Sequence, residues 1–101
     1  MANLMRPIHP GEILRDELSA LNLSASAFAK ALAVPTNRIT SILNEQRAVT
    51  ADTALRLSRF FGTTPEFWMS LQTSYDVKKT RIAVGKEIDR AVKPNPLPLA
   101  V

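Results

Sequence analysis

Proline at position 35 divides two short stretches of helical periodicity, and that division constrains the fold more than any other feature of the chain. On its N-terminal side Phe28, Ala31 and Leu32 repeat at intervals of three and four, after Ser24, a residue suited to cap a helix. On its C-terminal side Ile39, Ile42 and Leu43 repeat likewise, leaving Thr36, Asn37, Thr40 and Ser41 facing out. Proline cannot continue a helix but can open one, so Ala33-Val34-Pro35 is a turn between two helices of about two turns each. Two helices so joined, the second polar on its outer face, form the layout that sets a helix into the DNA major groove. Ala29 is small where the two helices must cross closely, and Phe28, Leu32, Val34, Ile39 and Ile42 supply the apolar positions that fix the crossing. A helix-turn-helix is therefore expected from Ser24 to Asn44.

The flanks supply three more helices. Met1 to Ile8 reads as an extended arm, because Pro7 biases Arg6 away from helical backbone angles. In His9-Pro10-Gly11-Glu12, Pro10 suits a first helical position and Glu12 lies where a capping carboxylate reaches back to a free N–H. Leu14, Leu18 and Leu21 follow on one face, and Asn22 ends the helix. Beyond the central pair, Asn44 to Val49 is a polar connection, and Thr50 caps a helix with Ala54, Leu57 and Phe61 on one side and Arg56 and Arg59 on the other. Gly62 stops it. Thr64-Pro65-Glu66 starts a fifth helix whose buried stripe is Trp68, Leu71 and Tyr75. After Val77 the pattern weakens: Val84, Ile88 and Ala91 outline a helical face, but Gly85 interrupts it at about 1 kcal/mol relative to alanine. Pro94, Pro96 and Pro98 leave the last eight positions extended. The expected organisation is an all-α chain with an arm at 1–8, a five-helix DNA-binding domain at 9–77, and a marginally helical extension with a proline-rich tail at 78–101.

Composition narrows the function. At 101 residues, 46% hydrophobic and 22% charged, the chain has the material for one modest core. Neither a signal peptide at Met1 to Met5 nor a long apolar run is visible, so a cytoplasmic protein without a membrane partner is expected. The formal charge of +4 is mild, but its placement is informative: Lys30, Arg38, Arg47, Arg56 and Arg59 face only Glu45 and Asp52, whereas Gly11 to Leu21 is net acidic. A basic face built from one part of the chain is implied.

Catalysis finds no footing. With no cysteine and one histidine, neither a metal site nor a catalytic triad can be assembled, and no cofactor is expected. His9, lone and before a proline, is best read as a cap or packing group, and Glu12, Asp16 and Glu17 as helix-surface charges. Phe67, Trp68 and Tyr75 stand at helical spacing after a capped start, which favours core packing over base stacking. Lys78, Lys79 and Arg81 read as a solvated face, as do Arg56 and Arg59.

Four stretches together resemble the HigA-type antitoxins within the phage-repressor-like (Xre) helix-turn-helix class: His9-Pro10-Gly11-Glu12-Ile13-Leu14, LAVPTNRITSILN from Leu32 to Asn44, RAVTADTALRL from Arg47 to Leu57, and FGTTPEFWMSLQ from Phe61 to Gln72. The resemblance implies a five-helix phage-repressor-like fold and gives Thr36, Asn37, Arg38, Thr40 and Ser41 to the major groove. Arg38 suits guanine and Asn37 adenine. Asn44, Gln46 and Arg47, just past that helix, suit phosphates, which position a protein without reading sequence; Lys30 is a weaker phosphate candidate. The resemblance further implies a homodimer on a palindromic double-stranded operator, autorepression, and a partner toxin of the RelE-like mRNA-cleaving kind. Two positions depart from the pattern. Ala33 stands where the wider class has a glycine able to adopt positive φ, and Ala25 where many relatives carry a glutamine that touches DNA. The alternatives are a free-standing repressor without a toxin and a protein-interaction module that has lost DNA binding; Arg38 and Arg47 on the recognition side speak against the latter.

Overall fold

Caps decide where the helices begin. The computed structural model describes residues 6–97 and 99, and among them are five α-helices and no strand: α1 Pro10–Leu21, α2 Ala25–Leu32, α3 Thr36–Leu43, α4 Ala51–Phe61 and α5 Pro65–Ala91. Ser24, Thr50 and Thr64 each accept a hydrogen bond from a first-turn N–H, as their positions predict. At α1 the cap is His9 rather than Glu12: the His9 Nδ1 accepts from Gly11 N at 2.9 Å, and Glu12 turns outward to pair with Arg6 at 2.6 Å. That ion pair ties the described end of the arm to α1; residues 1–5 of the arm lie outside the described residues. Only α3 lacks a side-chain cap, because its N-cap is Pro35.

Stops are equally local. Asn22 at φ 55° and Gly62 at φ 74° end α1 and α4 in the left-handed region, where an amide side chain or the absence of Cβ lowers the steric cost. Ala33, at φ 58°, ends α2 in the same region without either advantage.

The core is a single cluster made of Leu14, Leu18, Phe28, Ala29, Leu32, Ile39, Ile42, Val49, Ala54, Leu57 and Trp68. Up to Tyr75 it follows the predicted stripes with three exceptions. Leu21 is 51% and Phe67 46% exposed, and Ala31 is exposed as well. Leu21 lies in the last turn of α1, and Phe67, on the first turn of α5, packs edge-on against Trp68 at 5.1 Å and leaves its outer side to solvent. Phe61 joins Phe28 and Trp68 as an aromatic bridge, with ring centroids 5.8 and 5.7 Å away.

Helix α5 departs most from expectation. It runs unbroken for 27 residues through the stretch where the sequence predicts only a weak helix, because a helix already anchored by Trp68 and Gln72 extends without paying nucleation again, and one glycine is tolerated. Its C-terminal half projects from the globule, so that the molecule with this helix measures 52 × 29 × 25 Å, and leaves Val77, Ile82 and Ile88 exposed at 46, 75 and 47%. Residues 92–95 have no regular structure; Pro98, the last of the predicted proline series, lies outside the described residues.

One close approach seats α3. The first turn of α1 lies directly on the C-terminal end of α3, so that a Cβ on Gly11 would overlap the Ile42 carbonyl group, backbone on both sides. Replacing Gly11 with alanine should therefore force the two helices apart at a cost of about 1–3 kcal/mol, lowering the thermal midpoint by at least roughly 4 °C. A melting curve followed by circular dichroism checks this, and an unchanged midpoint would show that the contact is loose.

Candidate nucleic-acid interface

Side chains leave α3 in steps of about 100°. Ile39 and Ile42 are fully buried, so the opposite face, carrying Asn37, Thr40, Ser41 and the C-cap Asn44, points away from the core. Asn37 and Asn44 are exposed, while Thr40 and Ser41 are half-buried. Thr36 opens the helix and is exposed too. Pro35 offers no side-chain cap; Arg38 N donates to Pro35 O at 3.1 Å, and among the described residues no acceptor stands against the Thr36 and Asn37 N–H groups. Gln46 and Arg47 follow the helix, both exposed, in a turn held by Gln46 N donating to Ser41 O at 2.8 Å and Glu45 N to Ile42 O at 2.9 Å. The sequence-predicted residues are thus brought together on one side, with one exception.

Arg38 stands about 100° from Ile39, on the flank of α3 that meets α4. There its Nη1 donates to Asp52 Oδ1 at 2.7 Å, and the same oxygen accepts from Arg56 Nε at 2.8 Å. Arg56 Nη1 in turn donates to the carbonyls of Leu32 and Ala33 at 2.9 and 3.2 Å. Arg56, which reads as a solvated residue in the sequence, is therefore the tie between α4 and the turn before α3. It supplies a donor to the end of α2, where left-handed Ala33 costs about 1–2 kcal/mol for want of a glycine. The hydrogen bond from Arg56 foremost, and that from Arg38 next, hold the Asp52 carboxyl below its usual range. Asp52 is exposed and both arginines keep part of their surface in solvent, so what the pairs provide is position more than stability.

Other ties act at the far end of α3. Arg15 of α1 donates from Nη2 to Leu43 O at 2.6 Å and reaches Asn44 Oδ1 at 3.3 Å, satisfying a carbonyl that no helical N–H can reach. It engages the oxygen end of the Asn44 amide and keeps the N–H end for another acceptor. Buried Gln72 of α5 accepts from Val49 N at 2.8 Å and donates to Asp76 at 3.0 Å, stapling the loop that follows Arg47. His9 packs edge-on against Tyr75 at 4.8 Å, and burial lowers its pKa, in keeping with a neutral ring that accepts at Nδ1. Asp52 and Arg56 could have been found from their four-residue spacing, an acid preceding a base on one helix face. Nothing in the sequence signals Arg15 or Gln72, whose partners lie 28 and 23 positions away.

Among the described residues no cluster of three or more His, Cys, Asp or Glu is placed to hold a metal, and no helix is long and apolar enough to cross a membrane. A helix-turn-helix family model matches residues 14–68, more than half of the chain. The solved structure of an addiction-module antidote protein of the HigA family from Coxiella burnetii superposes with a TM-score of 0.88 at 60% identity, covering 90% of this chain and 100% of that one. The chain belongs to the HigA family of helix-turn-helix proteins. Antitoxin HigA from Pseudomonas aeruginosa, solved with the higBA promoter, is 47% identical with a TM-score of 0.85, over 88% of this chain and 98% of that one. Virulence-associated protein I of Dichelobacter nodosus is 57% identical over 77 residues, 75% of this chain and 71% of that protein. HigA relatives are DNA-binding regulators and antitoxins, not enzymes. That assignment fits the all-α fold and its outward-facing polar helix.

Proposed function

We propose that this HigA-family chain binds a palindromic operator as a homodimer, represses its own promoter, and neutralises a RelE-like mRNA-cleaving toxin encoded beside it. The observation that carries the DNA reading is the outward face of α3, where Asn37, Thr40 and Ser41 stand opposite buried Ile39 and Ile42. Asn37 reads adenine, Arg38 reads guanine from the flank, and Thr36, Thr40 and Ser41 complete the contact to base edges. Asn44, Gln46 and Arg47 hold phosphates, as do the uncapped N–H groups at the start of α3. The P. aeruginosa relative solved with its promoter supports the same use of this fold.

The homodimer is supported by α5. Val77, Arg81, Val84, Ile88 and Ala91 recur at alternating four- and three-residue steps along its projecting half, the spacing of a coiled-coil seam. Two-fold pairing there gives half-sites about one helical turn, roughly 34 Å, or a multiple of it apart. The toxin belongs elsewhere, since a helix seated in a groove cannot also grip a nuclease. Asp16 and Glu17 on α1 are exposed and complement a basic RNA-binding protein; Glu12 is already engaged by Arg6.

Titration against operator and scrambled duplexes tests the base-reading assignment. Asn37→Ala should lose about 1–3 kcal/mol on the operator alone, whereas Arg47→Ala should weaken both duplexes and reduce the salt slope by about one unit. Equal losses on both duplexes for Asn37→Ala would make it a phosphate contact.

Co-expression with the neighbouring gene product tests the antitoxin role. Growth should be rescued and the two proteins should co-purify. If neither happens, the chain is a free-standing repressor.

A further inference from the structure

The three-residue chain Arg56–Asp52–Arg38 links the turn of the helix-turn-helix to the flank of α3. We propose that Asp52 is a positioning residue of the DNA interface, a carboxylate on α4 that aims the Arg38 guanidinium at a base edge. The inference rests on the proposed reading in which Arg38 meets DNA, and it names the residue on which that contact depends.

Geometry carries it. A free arginine side chain samples many rotamers and must surrender them on binding. Here one N–H of Arg38 is spent on Asp52 Oδ1 at 2.7 Å, and four of the five guanidinium donors remain for a base or phosphate. The Arg38 side chain keeps 29% of its surface exposed, so the group is held without being hidden. Asp52 is itself held: Arg56 Nε donates to the same oxygen at 2.8 Å, and Arg56 is pinned by the Leu32 and Ala33 carbonyls. The first turn of α4, where Asp52 lies, favours a negative charge through the helix dipole. Position thus passes from the α2–α3 turn, through Arg56 and Asp52, to the guanidinium.

The charge of Asp52 makes the test unambiguous in sign. A carboxylate beside a polyanion repels it, so simple electrostatics requires that removing Asp52 tighten binding to every DNA. A positioning role requires the reverse on the operator. Asp52→Ala should weaken operator binding at least about threefold while leaving binding to a scrambled duplex unchanged or tighter, and the operator loss should vanish when Asp52→Ala is placed in an Arg38→Ala background. If Asp52→Ala tightens both duplexes alike, the positioning role is wrong while Arg38 can still read a base. If the operator loss persists in full without Arg38, Asp52 acts through the local fold and the proposal fails. If Arg38→Ala alone leaves operator affinity unchanged, base reading by Arg38 falls and the role of Asp52 falls with it.

Discussion

The backbone of α1 lies against the carbonyl of Ile42 with no side chain between them, and the placement of α3 follows from that approach. Only a residue without Cβ at position 11 lets the first turn of α1 come so near, and only then does Arg15, one turn further on, reach the Leu43 carbonyl. The His9 cap belongs to the same junction, since its ring accepts from Gly11 N and packs on Tyr75 of α5. The end of α3 is therefore fixed by α1, and the loop beyond it by Gln72 of α5. At the other end, Arg56 of α4 holds the α2–α3 turn. Helices α1 and α2 thus pack along α3, while α1, α4 and α5 add polar ties at its end, its flank and the loop beyond it, and this frame presents the polar outer face.

How much of this is legible in the sequence depends on the range of the interaction. Caps and stops are written into single residues, which is why Ser24, Asn22, Thr50, Gly62 and Thr64 stand where their chemistry places them. The core stripe is a matter of period, and it fails at Leu21, Ala31 and Phe67, where geometry at helix ends and edges leaves an apolar residue uncovered. Glu12 looks like a capping acid by spacing, but the His9 ring occupies that role and Arg6 takes the carboxylate. The strength of α5 beyond Val77 is illegible for another reason. Local propensity weighs Gly85 against the helix, while the anchored first half lets the helix propagate through it.

For the interface, position on α3 is legible and direction is not. The period of Ile39 and Ile42 determines that Asn37, Thr40 and Ser41 face outward. It also places Arg38 on a flank, yet the partner that occupies this flank, Asp52, lies on another helix 14 positions away. Ala33 shows the converse. A departure from glycine is visible in the sequence, and the structure keeps the left-handed turn regardless, with Arg56 on its carbonyl. A chain can thus keep a strained turn when a neighbouring helix supplies a hydrogen bond to it.

The central claim is that this frame presents α3, and no other surface, to base pairs. Amide chemical-shift mapping tests it most directly, with labelled protein titrated by the duplex from its own promoter and, separately, by a scrambled duplex of equal length. The expected result is that the largest perturbations fall between Thr36 and Arg47 with the promoter duplex, and that those at Asn37 and Thr40 shrink with the scrambled one. Perturbations centred on α1 or on the projecting half of α5, or identical maps with both duplexes, would contradict it.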